Sequence, residues 1–149
     1  MTAASEPRWD APLAEVAAYW RERPFWKELD IRLEALAPGY ARLALHRNGW
    51  SVGGVRNSVN GGVLAMLAES AAQLSLRTVL EPGGRVERTQ DLGISYASSA
   101  VAARTVVEAR VRRVGRTALV AVEISDGDDG HLNCAARVSC LLARGEGVS

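Results

Sequence analysis

The sequence is poor in cysteine and histidine, with two of each in 149 residues. Cys134 and Cys140 lie six residues apart in one predicted strand. Their Cα atoms would then be about 20 Å apart, far beyond the ~7 Å limit of a disulfide, so we expect two buried thiols in a reducing compartment. Neither histidine has a cysteine or carboxylate at metal-ligand spacing, which argues against a metal site.

The sequence also lacks a dominant charge sign and a long apolar run. Its 18 basic and 17 acidic residues nearly cancel, so no overall field favours nucleic acid or an anionic membrane as a partner. No stretch reaches the roughly 18 apolar residues of a membrane span, and the N-terminus has no basic start followed by an apolar run. We therefore expect a cytoplasmic location.

What is present is the composition of a single globular domain, with 48% hydrophobic and 23% charged residues. Residues 10–29 predict an N-terminal helix that Pro24 breaks. Alternating apolar residues on either side of a Pro38-Gly39 turn predict a strand hairpin over residues 30–47.

A loop and then one long apolar helix are predicted next. Residues 48–60 contain too many Gly and Asn residues for a regular element, and Trp50 and Val52 indicate a loop that packs against something. Asn60 fits a helix N-cap, and the helix should run over residues 61–80. Four strands separated by tight turns follow, at about residues 86–98, 104–114, 117–125 and 132–143.

This order of elements excludes an alternating βαβ sheet. One long helix, preceded by two strands and followed by four, leaves too few helices to cover both faces of a parallel sheet. An α+β fold, with an antiparallel β-sheet wrapped around one central helix, fits better. We expect one domain over residues 1–149, with a helical extension at residues 1–29 and the core at residues 30–143.

The predicted central helix carries a carboxylate, Glu69, on an otherwise apolar element, where burial without a partner would cost several kcal/mol. At 100° per residue, one polar stripe contains Gly62, Met66, Glu69, Ser70, Gln73 and Arg77. A solvated face would explain this stripe. However, it begins at a Gly-Gly pair on the helix N-terminus, where N–H groups and the helix dipole favour a developing negative oxygen. An oxyanion site and a carboxylate are the two parts that ester or thioester cleavage needs.

These two parts are too far apart to act within one chain. Gly62 and Glu69 are separated by about 10 Å along the helix axis. Two antiparallel copies of the helix across a dimer interface would bring Gly62 of one subunit near Glu69 of the other. The site hypothesis therefore predicts an obligate homodimer with two shared sites.

Three segments resemble the hotdog-fold thioesterases. Asn60-Gly61-Gly62 followed by Glu69 is similar to the His-Gly-Gly and Asp or Glu pattern of the branch typified by phenylacetate-degradation thioesterases and 4-hydroxybenzoyl-CoA thioesterase. "TQDLGISYASSA" resembles the strand after the family's helix, and "RRVGRTALVAVEISDGDDGHLNCAARVSCLL" resembles its last hairpins. The likeness covers residues 30–143. It implies a hotdog fold and a homodimer with a continuous sheet, often paired again into a homotetramer.

The resemblance implies an acyl-CoA thioesterase for a small aryl or short- to medium-chain acyl group, with no cofactor beyond the CoA of the substrate. Gly62, alone or with Gly61, would polarise the thioester carbonyl, and Glu69 of the facing subunit would act as nucleophile or as the base that activates water. Asn60 replaces the family's His and cannot titrate near neutral pH. This departure favours the alternative, a non-catalytic protein that binds acyl or CoA thioesters.

The resemblance also implies substrate contacts. Gln73 would orient water or the carboxylate, and Asn57 resembles a loop Asn of some members. Candidates for the acyl pocket are Trp50, Val52, Met66 and Tyr96. Candidates for the CoA phosphates, with a solvated strand surface as the equally weighted alternative, are Arg88, Thr89, Arg112, Arg113, Gly115 and Arg116.

Overall fold

The computed structural model describes residues 4–145, which form three α-helices and one six-stranded sheet. The helices are α1 (Leu13–Arg21), α2 (Pro24–Glu28) and α3 (Gly61–Arg77). The strands are β1 (Ile31–Ala37), β2 (Tyr40–His46), β3 (Arg85–Tyr96), β4 (Arg104–Arg113), β5 (Thr117–Asp126) and β6 (Leu132–Ala143). All strand pairs are antiparallel, in the order β1-β2-β4-β5-β6-β3. The expected α+β fold is confirmed.

Helix α3 packs against the sheet through a side of small and branched apolar residues. This buried side consists of Leu64, Leu67, Ala68, Ala71, Ala72, Leu74 and Leu76. On the sheet, Leu43, Val107 and Ile124 form one fully buried row across β2, β4 and β5. Burying each such side chain contributes about 1.5–3 kcal/mol. No helix within residues 4–145 is long and apolar enough to cross a bilayer.

One helix boundary agrees with the prediction and one differs. The N-terminal helical segment is broken at Pro24, as predicted, since α1 ends at Arg21 and Pro24 begins the separate helix α2, where proline is tolerated because the N–H that it lacks has no intrahelical role in the first turn. Helix α3 ends at Arg77, three residues earlier than predicted. The Thr78 hydroxyl donates to the Ser75 carbonyl at 2.6 Å and accepts from the Gly39 N–H at 2.7 Å, so the helix end is tied to the β1–β2 turn.

The two edges of the sheet are covered differently. Helices α1 and α2 pack on β1, with the Trp26 ring 4% exposed. At the other edge, β3 is 12 residues long and pairs only with β6 within the described chain. A long open edge presents unpaired N–H and C=O groups that can pair with another chain. The open edge of β3 is therefore the edge available for association.

Both cysteines lie in β6 and are fully buried as free thiols, as expected. Burial raises the pKa of the Cys134 thiol to about 11. At neutral pH this side chain is a protonated, apolar core residue.

Candidate active site

The polar stripe of α3 lies outside the buried core, as its periodicity predicts. Glu69, Ser70, Gln73 and Arg77 are half-buried, and Gly62 at the start of the stripe is exposed. The sheet of the same chain therefore leaves the polar groups of this stripe partly uncovered.

Asn60 caps the N-terminus of α3, as predicted. Its side-chain Oδ1 accepts a hydrogen bond from the Gly62 N–H at 2.8 Å. The Gly62 N–H is therefore already engaged within the chain. The N–H groups of Gly61 and Val63 donate to no acceptor in the described residues. Gly61 is the first helical residue, where the positive end of the dipole is strongest, so of the two free donors Gly61 is the one at the tip of the helix, and Gly62 is not free.

Tyr96, near the end of β3, covers one side of this helix terminus. Its hydroxyl donates to the Gly61 carbonyl at 2.7 Å. A Cβ on residue 61 would lie 3.4 Å from the tyrosine ring, in ordinary van der Waals contact, so the ring lies directly against the backbone of this residue. The ring is 53% exposed and forms a wall facing outward. The sequence indicated Tyr96 only as a candidate for the acyl pocket. Nothing in the sequence shows that Tyr96 and Gly61, which are far apart in the chain, are in contact.

Replacing Asn60 by Ala removes the cap and leaves the Gly62 N–H without its acceptor. We expect the free energy of unfolding to fall by about 1 kcal/mol, as measured by urea denaturation followed by far-UV circular dichroism. Asn60→Asp keeps an acceptor oxygen at the cap and should lose much less. Equal stability of the wild type and Asn60→Ala would show that the cap contributes nothing.

Glu69 belongs to a short chain of polar contacts that joins α3 to the sheet. Gln73 Nε2 donates to Glu69 Oε1 at 3.4 Å and to Thr89 Oγ1 at 3.2 Å, and Thr89 Oγ1 lies 3.9 Å from Cys140 Sγ. Burial raises the pKa of the Cys140 thiol, the Thr89 hydrogen bond opposes this, and the Glu69 charge adds to it. Within residues 4–145 Glu69 forms no salt bridge. Its carboxylate is thus held by one long hydrogen bond and has no cationic partner in the described residues, which suits a base or nucleophile.

The free N–H and the carboxylate lie on the same helix but cannot meet one substrate carbonyl. Gly61 and Glu69 are separated by eight residues, or about 12 Å along the helix axis. A site that uses both groups must combine two chains.

The loop before α3 exposes two apolar side chains, Trp50 at 74% and Val55 at 75%. Within residues 4–145 nothing buries Trp50, so the expectation that this loop packs against something stays a prediction for Trp50. Asn48 Oδ1 accepts from the N–H groups of Trp50 and Ser51, which builds a tight turn that buries Ser51 and directs the indole outward. Asn57 is exposed in the same loop, in a turn with a φ of 57° that Asn tolerates.

The candidates for phosphate contact separate into two groups. Exposed at the turn between β4 and β5 are Arg112, Arg113, Gly115 and Arg116. Arg88 lies in register with Leu141, which pairs with Thr117 at the end of the same turn. Thr89 points to the opposite face of β3, toward Gln73, because successive strand residues alternate between faces. Arg88 and Thr89 therefore cannot form one contact set, and Thr89 belongs with Glu69.

Sequence comparison identifies the family of this chain. Residues 56–132 match the profile of the thioesterase superfamily. This segment is more than half of the chain and contains α3 together with β3, β4 and β5, so the protein belongs to the thioesterase superfamily. No curated protein shows a significant sequence match.

Solved structures of thioesterases share the fold. The chain is similar to a thioesterase of Haemophilus influenzae, with a TM-score of 0.79 and 17% identity over 89% of this chain and 91% of that one. A mutant thioesterase of Pseudomonas aeruginosa has a TM-score of 0.79 and 20% identity over 93% and 99%. Zebrafish thioesterase superfamily member 2 has a TM-score of 0.78 and 19% identity over 90% and 100%. At these identities the likeness establishes the shared hotdog fold.

Proposed function

We propose that this protein is an acyl-CoA thioesterase that hydrolyses a small aryl or short- to medium-chain acyl-CoA to the free acid and CoA. The observation that carries the proposal is Glu69, a half-buried carboxylate on the outward stripe of α3 without a salt-bridge partner in the described chain. Superfamily membership supports thioester hydrolysis. The motif around Asn60 and Glu69 favours the phenylacetate-degradation and 4-hydroxybenzoyl-CoA thioesterase branch.

In this mechanism the Gly61 N–H binds the thioester carbonyl oxygen. Negative charge grows on that oxygen as the tetrahedral transition state forms, and a fixed donor at the positive end of a helix stabilises it. Asn60 takes no part in proton transfer, because an amide does not titrate near neutral pH. Its role is to hold the Gly62 N–H and so fix the first turn that aims the Gly61 N–H.

Glu69 of the second subunit supplies the other half of the reaction. It either accepts a proton from a water that attacks the carbonyl carbon, or attacks that carbon itself to form an anhydride that water then hydrolyses to the free acid. In both routes the C–S bond breaks, and the CoA thiolate leaves and is protonated to the thiol. Gln73 holds one carboxylate oxygen and is itself hydrogen-bonded to Thr89. The second carboxylate oxygen is left for water or substrate, which is compatible with either route.

The proposal requires a homodimer in which the two α3 helices run antiparallel. The open edge of β3 supports this arrangement, because two β3 strands pairing antiparallel would extend the sheet and bring the two polar stripes together. Trp50 and Asn57, exposed beside the Gly61 end, would then contact substrate. Arg88, Arg113 and Arg116 would bind CoA phosphates at the rim. Association into a dimer of dimers and a cytoplasmic location stay predictions.

A non-catalytic protein that binds acyl or CoA thioesters is the second candidate, and Asn60 in place of the family's His favours it. Free-thiol release from a panel of aryl and aliphatic acyl-CoAs, with binding measured in parallel by calorimetry, distinguishes the two. Turnover of any member supports the enzyme. Binding without release of thiol supports the second candidate.

Subunit mixing tests whether each site is shared. Glu69→Gln lacks the carboxylate and Gly61→Pro lacks the N–H, so each homodimer should be inactive. A heterodimer contains one intact and one doubly damaged site, so random exchange of subunits should restore about a quarter of wild-type activity. Differently tagged subunits allow the heterodimer to be purified, and it should show about half. If both groups act within one chain, the mixture stays inactive.

A further inference from the structure

A cavity of about 680 Å³ lies at the opposite end of α3 from Gly61. Residues 6–10 form one of its sides. Its apolar walls are Val16, Trp20, Leu36, Leu74, Leu80 and Val86. Neither Gly61 nor Glu69 lines it. The cavity is therefore separate from the site of the proposed reaction.

Arg77, in the last turn of α3, places a cation at the cavity wall. Its guanidinium carbon lies 5.0 Å from the centre of the Trp20 ring, and burial lowers the Arg77 pKa. Removing a guanidinium from water is costly unless an anion compensates. Arg77 is therefore a half-buried cation that favours an anion beside it, in a cavity with both polar and apolar walls.

The carboxylate that lies against the Arg77 guanidinium is that of Glu6, and Arg77 Nη1 has no hydrogen-bond partner within residues 4–145. Glu6 belongs to an irregular segment outside the helices and strands, and it is exposed. Two other charges on the wall pair with each other, since Arg8 lies 2.9 Å from Asp10, and the wall also carries Glu81 and Arg85. A carboxylate from outside the chain would form the same contact with Arg77 that Glu6 forms, so one charged pair would replace another. Such a carboxylate can therefore displace Glu6 at little cost.

We propose that this cavity is a second binding site, for a monocarboxylic acid with an apolar tail. The ligand carboxylate pairs with Arg77 in the place of Glu6, and the tail lies along Trp20 and Leu74. The volume lies within the roughly 300–1,000 Å³ typical of small-molecule sites, which fits a medium-chain or aryl acid. Acids of this class are also the products of the proposed reaction, but their binding here does not depend on that reaction.

Decanoate binding, measured by calorimetry on the whole protein, tests the proposal. The wild type should bind one decanoate per chain. Glu6→Gln should bind decanoate about threefold more tightly because the internal competitor is gone. Arg77→Gln should weaken binding at least ~10-fold, since a charge-assisted contact is lost.

Three controls test whether decanoate occupies this cavity and pairs with Arg77. Arg85→Gln removes another arginine of the cavity wall and should leave the affinity unchanged. Glu69→Gln should also leave it unchanged, because that carboxylate lies outside the cavity. Decan-1-ol, which has the same chain length without the charge, should bind equally to the wild type, Glu6→Gln and Arg77→Gln.

The proposal is overturned if neither the wild type nor Glu6→Gln binds decanoate, or if both Glu6→Gln and Arg77→Gln bind it like the wild type. Loss of binding in Glu69→Gln would also overturn it, since decanoate would then occupy the catalytic site. No turnover is measured, so failure of the proposed thioesterase activity leaves this result intact.

Discussion

Glu69→Gln is expected to lower acyl-CoA turnover by at least ~100-fold, the low end for loss of a general base or nucleophile. Glutamine keeps the size of the side chain and the hydrogen-bonding capacity toward Gln73, but an amide neither accepts a proton at neutral pH nor attacks a carbonyl. The fold should be unaffected, because Glu69 is half-buried and forms no salt bridge in the described chain. Free-thiol release gives kcat and KM, and we expect the loss in kcat.

Glu123→Gln is the matched control for this substitution. Glu123 is an exposed carboxylate of β5, directed away from the helix, so the same chemical change there should leave turnover within about twofold of wild type. Circular dichroism and the oligomeric state should be the same for both variants. A Glu69→Gln enzyme with near-normal kcat would exclude Glu69 from the chemistry and leave it a structural residue.

Gly61→Pro is expected to lower kcat by about 100- to 1,000-fold, the effect of losing one oxyanion donor. Proline has no backbone N–H, so the substitution deletes the group that we assign to the carbonyl oxygen. The helix should survive, because Gly61 is its first residue, where proline is tolerated. The preceding residue, Asn60, has φ −58° and ψ 134°, which is the extended conformation that a following proline requires.

The variant Gly61→Ala distinguishes the effect of losing the N–H from the effect of adding a side chain at residue 61. Alanine retains the N–H and places a Cβ at the same 3.4 Å from the Tyr96 ring. We expect at most a few-fold loss of kcat, with thermal unfolding near that of wild type. If the alanine and proline variants lose activity equally, crowding against Tyr96 explains the result and the Gly61 N–H is not the oxyanion donor.

Much of the fold could be predicted because its signals are local and periodic. The alternation from Ile31 to His46 and the 3.6-residue repeat of α3 each depend on neighbours within a few positions. Turn residues mark where each strand ends, so the later strands were placed to within two residues. The end of α3 was missed because it is set by a contact between Thr78 and Gly39, which lie 39 residues apart.

The candidate site was only partly predictable. Glu69 was identified because a carboxylate within an apolar helical segment can be recognised from the sequence alone. The Asn60 cap follows from its position before the helix. The sequence did not decide which of the next two N–H groups stays free, because an N-cap side chain bonds the N–H of the second or the third helical residue. The hydrogen bond from Gly62 leaves the Val63 N–H free, together with that of Gly61.

The sequence by itself determined the α+β class, the central helix, the polar stripe with Glu69 and the N-cap. Each of these features depends on residues that lie close together in the chain. Only the tertiary structure decided which separated residues meet. It placed Thr89 against Gln73 and on the opposite face of the strand from Arg88, left Trp50 exposed, and placed Arg77 against Glu6 at the wall of a cavity. Such contacts depend on strand register and on how the sheet wraps the helix, and no local propensity encodes either.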